Sequence, residues 1–277
     1  MAGDAQPETT RELVRDERGG WVLVVDGYAQ SHVNLEDPED LAFEYIAHLA
    51  LVLTALTSGP IAVTHIGGGG LTVARWVDRV RPGSPQIVLE PDAAVTELVR
   101  SALPLPRGHR IRVRPVDGRT GVAELRAGSA DVVVLDAYAA GRLPAELTTV
   151  EFLADCARVL RPGGLFLANL ADRPGLRYAA RVAAGARAAL GQTAYVATTE
   201  VLKGRRFGNG VLIAGRHPLD VTALRRQVAR SAFPSGVLDD AGLRRKVPEA
   251  GPFTDADAVP SPSPPASASR GRGWDVR

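Results

Sequence analysis

Three acidic residues close three successive apolar runs in this chain, downstream of a run of four glycines. The glycines, Gly67 to Gly70, interrupt Val63-Thr64-His65-Ile66 and lead into Leu71-Thr72. Glu90 ends Ile87-Val88-Leu89, Asp117 follows Pro115-Val116 and precedes Gly118, and Asp136 ends Val132-Val133-Val134-Leu135. A glycine turn between a strand and a helix lets the backbone approach a ligand closely, because no Cβ stands in the way. A carboxylate about 20 residues further on can accept hydrogen bonds from the two hydroxyls of a ribose. The dinucleotide fingerprint fits poorly, since Gly67-x-Gly69 is followed by Thr72 where a third glycine belongs. Three acids with no basic clamp suit a ligand without phosphates and with a positive centre, such as a sulfonium nucleoside. Any one of these acids alone reads equally well as a turn or cap residue.

The elements that must position them follow from hydrophobic periodicity. Apolar runs at 61–66, 86–89, 111–116, 131–136 and 164–168 predict strands, and helical spacing at 71–80, 92–103, 148–160 and 175–190 predicts helices between most of them. That alternation predicts an α/β fold with a doubly wound, mostly parallel Rossmann-type sheet covered on both faces. Ligands bind outside the carboxyl ends of such strands, so Glu90, Asp117 and Asp136 are expected to converge on one cleft. Two runs without a helix between them, 194–199 and 210–214, predict an antiparallel pair at the far edge of the sheet, and 220–232 predicts a last helix. Upstream, Trp21 to Val25 and the Asp26-Gly27 turn predict a β-hairpin. Asp37 is expected to cap the helix that follows, with Pro38, Glu39 and Asp40 in its first turn. Thr148 and Glu151 have the spacing of a capping box.

The domain reading is a flexible arm at 1–18, a hairpin and helix at 19–60, a nucleoside-binding α/β domain at 61–235, and a disordered tail at 248–277. The tail contains Pro260-Ser261-Pro262-Ser263-Pro264-Pro265 and ends with Arg270, Arg272 and Arg277 in solvent. The chain is 45% hydrophobic and carries a net charge of +2, with no apolar run near the roughly 20 residues of a membrane span. The lone Cys156 excludes an intramolecular disulfide framework and a cysteine zinc site. His32, His109 and His217 show no ligand spacing with one another or with Cys156, so no metal is expected. A cytoplasmic protein without a nucleic-acid or membrane partner is the resulting expectation.

Residues 20 to 215 resemble the polyamine aminopropyltransferases, the spermidine and spermine synthase family. Leu23-Val24-Val25-Asp26-Gly27-Tyr28-Ala29-Gln30 is similar to the family's Leu-Asp-Gly-x-x-Gln segment, and Glu44 with Ile46-Ala47-His48 to its Glu-x-Ile-x-His helix. Ile66 to Gly69 match its Ile-Gly-Gly-Gly, Glu90 its ribose-binding acid, Asp117-Gly118 its adenine-side Asp-Gly, and Asp136 its catalytic aspartate. The resemblance implies a class I methyltransferase-like sheet and a homodimer. It implies an amine attacking the propyl carbon beside the sulfonium of decarboxylated S-adenosylmethionine, with methylthioadenosine leaving. Asp136 would then be the general base. Gln30, Gly67, Gly68, Gly69, Glu90, Asp117 and Gly118 would hold the nucleoside, a co-substrate rather than a tightly bound cofactor. Apolar positions around Tyr45 are expected to be exposed for the dimer.

The departures fall on the acceptor side. Gly70 stands where the family usually has Asp. Asp136-Ala137-Tyr138-Ala139-Ala140 stands where it has Asp-Ser-Ser-Asp-Pro, and Ala171 replaces a further acid, with Asp172 adjacent as a candidate substitute. Tyr138 and Asp172 are the acceptor-side candidates. A dication such as putrescine needs those acids, because desolvated ammonium groups without counter-charges are costly. Weak or absent turnover of putrescine and a less charged acceptor are therefore expected. Two alternatives stay open. One is a methyltransferase using intact S-adenosylmethionine, whose carboxylate would need His65 or Arg75; the other is a non-catalytic nucleoside-binding member. Arg142 and Glu146 are expected to pair on the surface of a lid between the strand at 131–136 and the next helix.

Overall fold

The computed structural model describes residues 9–265. A three-stranded antiparallel sheet comes first: β1 (Arg11–Arg15), β2 (Trp21–Val25) and β3 (Tyr28–Val33), in that order. There follow α1 (Glu44–Leu56), β4 (Val63–Ile66), α2 (Thr72–Val80), β5 (Gln86–Leu89), α3 (Ala93–Ala102), β6 (Ile111–Arg114), α4 (Gly118–Glu124) and β7 (Ala130–Leu135). A single 3-10 turn at Ala145–Leu147 precedes α5 (Val150–Val159) and β8 (Leu160–Asp172). The remainder is α6 (Arg177–Leu190), β9 (Gln192–Thr198), α7 (Thr199–Leu202), β10 (Gly208–Gly215), α8 (Val221–Val228), β11 (Ser235–Asp239) and α9 (Asp240–Lys246). The large sheet has eight strands in the order β11-β9-β10-β8-β7-β4-β5-β6. β4 to β8 pair in parallel, while β9, β10 and β11 join antiparallel. The strand order reverses between β4 and β7, which places the glycine loop after β4 at the switch point where ligands bind in such sheets.

Strict two-residue alternation sorts the side chains into two layers. Val132, Val134, Leu165, Leu167, Val211 and Ile213 face the helices α1, α2 and α8, where Leu49, Val77 and Leu224 are fully buried. Val133, Leu135, Phe166, Ala168, Leu212 and Ala214 face α5 and α6, against Phe152, Leu153 and Val182. The small sheet lays Leu23 and Val33 on Ala74, Val88, Val95 and Val99, so the hairpin is clamped over α2 and α3.

The chain departs from the sequence reading at several places. Residues 11–15 are not an arm: β1 pairs with β2 over its whole length, because Leu13 turns inward while the flanking charges stay at the surface. Arg11 also reaches Asp92 at 2.8 Å. Asp37 caps a turn rather than a helix, its carboxylate accepting from Glu39 N, and α1 begins only at Glu44 behind Phe43. The cap of α5 is Thr149, not Thr148: its hydroxyl accepts from Phe152 N. The outer edge of the sheet is β11, added beyond the pair formed by β9 and β10. Leu41, Phe43 and Tyr45 are half-buried against the core, so they are less exposed than expected. Residues 248–265 are packed on the domain, with Phe253 and Ser261 buried. Arg270, Arg272 and Arg277 lie outside the described residues. Among those described, no helix is long and apolar enough to cross a membrane.

Candidate active site

The glycine loop is built by close approach on both sides. Gly67 has φ +89°, and a Cβ there would lie 2.2 Å from the carbonyl oxygen of Asp136. Gly69 has φ +47°, and its Cβ would lie 2.4 Å from the Ser31 hydroxyl. The small sheet seals the loop from above: Gly70 N donates to Ser31 Oγ at 2.9 Å and the Thr72 hydroxyl donates to His32 O at 2.7 Å. Glu90 sits across from the loop, where one carboxylate oxygen accepts from Gly68 N at 2.9 Å and Gly69 N at 3.1 Å. Gly67, Gly68 and Asp136 line one small pocket with Ser31, His65 and Thr72, of about 20 Å³ and open to the surface.

Asp136 begins the loop after β7 and shares its sheet face with Val134, the α1 side. Two neighbours meet it there, one of them held by a third. Asn169, two residues beyond Leu167 on β8, donates its amide to Asp136 Oδ1 at 2.8 Å. Asn209, two residues before Val211 on β10, donates to Asn169 Oδ1 at 2.8 Å and so fixes the direction of that amide. The Tyr45 hydroxyl of α1 is the further hydrogen-bond donor to Asp136, and burial beside that carboxylate keeps the phenol protonated. Burial raises the Asp136 carboxyl to about 6, although the bonds from Asn169 and Tyr45 pull the other way. Asn169→Leu removes one of those opposing bonds. The Asp136 carboxyl is then expected to climb by roughly one further pH unit, the worth of one hydrogen bond to a charged group, as read by ¹³C NMR titration.

The other candidates are placed as follows. Gln30 is the extra residue of a β-bulge, since Leu23 pairs with Ser31 and Val24 with Ala29, a device that re-aims a side chain at the sheet end nearest the glycine loop. Asp117 is exposed and caps α4 through Thr120 N at 2.9 Å, and this bond holds its carboxyl below the usual range. Gly118 is buried, and a Cβ there would strike Ile66 at 2.3 Å.

The two acceptor-side candidates serve the scaffold. Tyr138 spans to β8, its hydroxyl donating to Asn169 O at 3.1 Å and accepting from Ala171 N at 2.9 Å. Asp172 follows Leu170 by two residues and therefore faces the α5/α6 layer, opposite Asp136. Its oxygens accept from Arg173 N at 2.7 Å and Ala179 N at 2.8 Å. Adjacency in sequence suggested it as a substitute acid; strand alternation puts it on the wrong face. Sequence reasoning missed the contact of Tyr45 with Asp136 and the whole contribution of Asn209. The signal for Asn209 was its parity with Val211.

Arg75 and His65 are both committed. Arg75 is buried and donates to the carbonyls of Gly70, Leu103 and Pro104, and burial lowers its guanidinium to about 10. His65 bonds Gln86 Oε1 at 2.8 Å, and burial lowers it to about 4, so it is neutral at pH 7.

Comparison with known proteins places the chain in a family. Residues 39–179, just over half of the chain, match the spermine/spermidine synthase domain. The chain belongs to the spermine/spermidine synthase family. A polyamine aminopropyltransferase of Chromobacterium violaceum is 30% identical over 141 residues, 50% of this chain and 53% of that protein. The match thus spans about half the length of that relative. A probable spermidine synthase from Corynebacterium glutamicum has a solved structure that superposes with a TM-score of 0.82 at 31% identity, covering 92% of this chain and 96% of the other. Human methyltransferase-like protein 13, solved with SAH, shares the fold at a TM-score of 0.51 and 24% identity, over 76% of this chain and 93% of that one. In this chain's own sheet, the glycine loop, Glu90 and Asp136 occupy the loop and strand ends around the switch point.

Proposed function

We propose that this chain transfers an aminopropyl group from decarboxylated S-adenosylmethionine, or a closely related sulfonium nucleoside, to an amine less charged than putrescine. The observation that carries this reading is the state of the two basic side chains flanking the glycine loop. Arg75 is spent on three carbonyls and His65 is neutral, so neither is free for the carboxylate of intact S-adenosylmethionine. A sulfonium that has lost that carboxylate needs no such partner. This favours aminopropyl transfer over methyl transfer.

In the proposed reaction the lone pair of the amine forms a C–N bond to the propyl carbon. The C–S bond breaks, its electron pair stays on sulfur, and neutral methylthioadenosine leaves. The new ammonium gives its proton to Asp136. A base whose carboxyl sits near 6 takes a proton more readily than one near 4 and remains ionised at pH 7. Asn169 and Tyr45 orient it, and Glu90, held by the Gly68 and Gly69 amides, receives the ribose. Holding both reactants in line contributes much of the remaining rate.

Apart from Asp136, the acceptor side offers amides and a phenol, not carboxylates. Glu44, next to Tyr45, is paired with Arg206 at 2.8 Å, and Asp172 is turned to the other layer. One carboxylate is left for the acceptor, and a dication would bury a second charge unpaired. The dimer implied by the family resemblance belongs to the same proposal.

Calorimetric titration tests the nucleoside half. Decarboxylated S-adenosylmethionine is expected to bind at least tenfold more tightly than the intact form, and Glu90→Ala is expected to weaken it by about 2 kcal/mol, the worth of hydrogen bonds from a charged group. Equal or tighter binding of intact S-adenosylmethionine would favour the methyltransferase. Turnover of putrescine at about 10 s⁻¹, the median for enzymes, would contradict the acceptor reading.

A further inference from the structure

The proline-rich end of the described chain closes onto the loop that starts at Asp136. Its near anchor is Phe253, buried against Tyr178 with ring centroids 5.4 Å apart, with the Arg181 guanidinium 3.8 Å from the Phe253 ring centroid. Phe253 O accepts from Val150 N at 2.8 Å, and Asp255 pairs with Arg119. The far anchor is Ser261, fully buried although it sits among prolines. Ser261 N donates to Leu143 O at 3.0 Å, and Leu143 N donates to Ser261 Oγ at 2.9 Å. Arg142 Nε donates to Ser261 O at 2.7 Å, and its Nη2 to Pro260 O at 3.2 Å. Arg142, expected to pair with Glu146, is instead spent on this segment.

Proline explains why such a segment can act as a strap. Pro260, Pro262, Pro264 and Pro265 bring no N–H to satisfy, restrict the free chain, and favour an extended run that presents carbonyls outward. Arg142 takes two of those carbonyls. The loop it holds is strained. Ala139 and Arg142 close a tight turn by mutual hydrogen bonds at 2.9 and 3.0 Å, with Ala140 at φ +49° and Gly141 at φ +72°. A non-glycine residue in that region is uncommon and persists where its surroundings over-determine it. A Cβ on Gly141 would lie 3.1 Å from Tyr28 and 3.3 Å from Pro264, so the turn is gripped between the small sheet and the strap. At its start the same loop lies on Gly67 and, through Tyr138, on β8 beside Asn169.

We propose that Ser261 and Arg142 are positioning residues for the Asp136 loop: the strap formed by residues 259–265 holds that loop over the acceptor's side of the site, and acceptor entry requires the strap to lift. The link to an acceptor rests on the aminopropyl reading; the link between strap and loop does not.

Hydrogen exchange by mass spectrometry on the full-length chain tests it, comparing the wild type with Ser261→Ala/Arg142→Gln. Amides of 139–147 are expected to exchange at least tenfold faster in the variant, with β8 and α5 unchanged. In parallel, KM for the amine is expected to shift severalfold while KM for the nucleoside stays constant. Unchanged exchange at 139–147 would overturn the proposal. So would equal acceleration across β8 and α5, which would make the strap a general stabiliser. A second variant, truncated after Val259, must show the same confined acceleration; its absence would likewise overturn it. Confined acceleration with no turnover of any amine would support the strap's hold on the loop and count against the aminopropyl reading instead.

Discussion

Asp136→Asn is expected to lower amine-dependent turnover by about 10²- to 10⁴-fold, the usual contribution of a positioned general base, while making the protein more stable at neutral pH. The two effects have one cause. Burial raises the Asp136 carboxyl to about 6, so folding favours its protonated form. The stability this carboxyl contributes is complete below its unfolded value near 4 and is lost as pH rises through about 6. At pH 7 the native state therefore carries a buried charge that its hydrogen bonds offset only in part. An amide at this position removes that charge, and the gain is on the order of 1–3 kcal/mol. The substituted side chain keeps an oxygen to accept from Asn169 and Tyr45 but cannot take a proton. Thermal melts and steady-state rates across pH 5–8 check both sides. In the wild type, kcat/KM is expected to rise with pH through about 6 and then level off. In the Asp136→Asn variant the advantage in Tm should vanish toward pH 4. A variant with full activity, or with a lower Tm at pH 7, would contradict the assignment.

Gly67→Ala is expected to lose both stability and nucleoside binding. The added methyl would stand 2.2 Å from the Asp136 carbonyl and 2.8 Å from Ala137 Cα, both backbone atoms that no rotamer change can move. The left-handed φ of +89° adds strain of about 1–3 kcal/mol. Relief requires β4 and the Asp136 loop to separate, which shifts the base and opens the loop amides together. Gly68→Ala is the control. Its φ is not left-handed, and its Cβ would meet only side-chain atoms, of Val88 at 3.0 Å and of Glu90 at 3.2 and 3.3 Å, so it should fold closer to wild type while still disturbing Glu90. Denaturant melts with calorimetric binding distinguish the two. Equal loss of stability in both variants would show that the close approach at Gly67 has no special role.

Much of this was legible in the sequence because it depends on periodicity. The parallel strands, their acids and the glycine turn follow from alternation and from strand ends, and the sheet face of Asn169 and Asn209 follows from their parity with Leu167 and Val211. Asp172 shows the same rule unused: two residues beyond Leu170, it belongs to the α5/α6 layer and cannot stand in for an acid at 171. Other features have no local signature. Tyr45 lies in the right helical stripe, but nothing in its neighbours tells that its hydroxyl meets Asp136, a contact between distant parts of the chain. β1 carries only a short alternation around Leu13. The strap reads as disorder, since Pro and Ser form no periodic apolar face; only partners more than 100 residues away, such as Leu143 and Arg142, order it.

The most direct test of the central claim is product analysis by liquid chromatography. The purified protein is given decarboxylated or intact S-adenosylmethionine with a panel of amines, and Asp136→Asn is run beside it. The predicted result is methylthioadenosine released only with the decarboxylated nucleoside, only when an amine is present, and only with Asp136 intact, with monoamines ahead of putrescine. S-adenosylhomocysteine from the intact nucleoside, or no product at all from either, would contradict it.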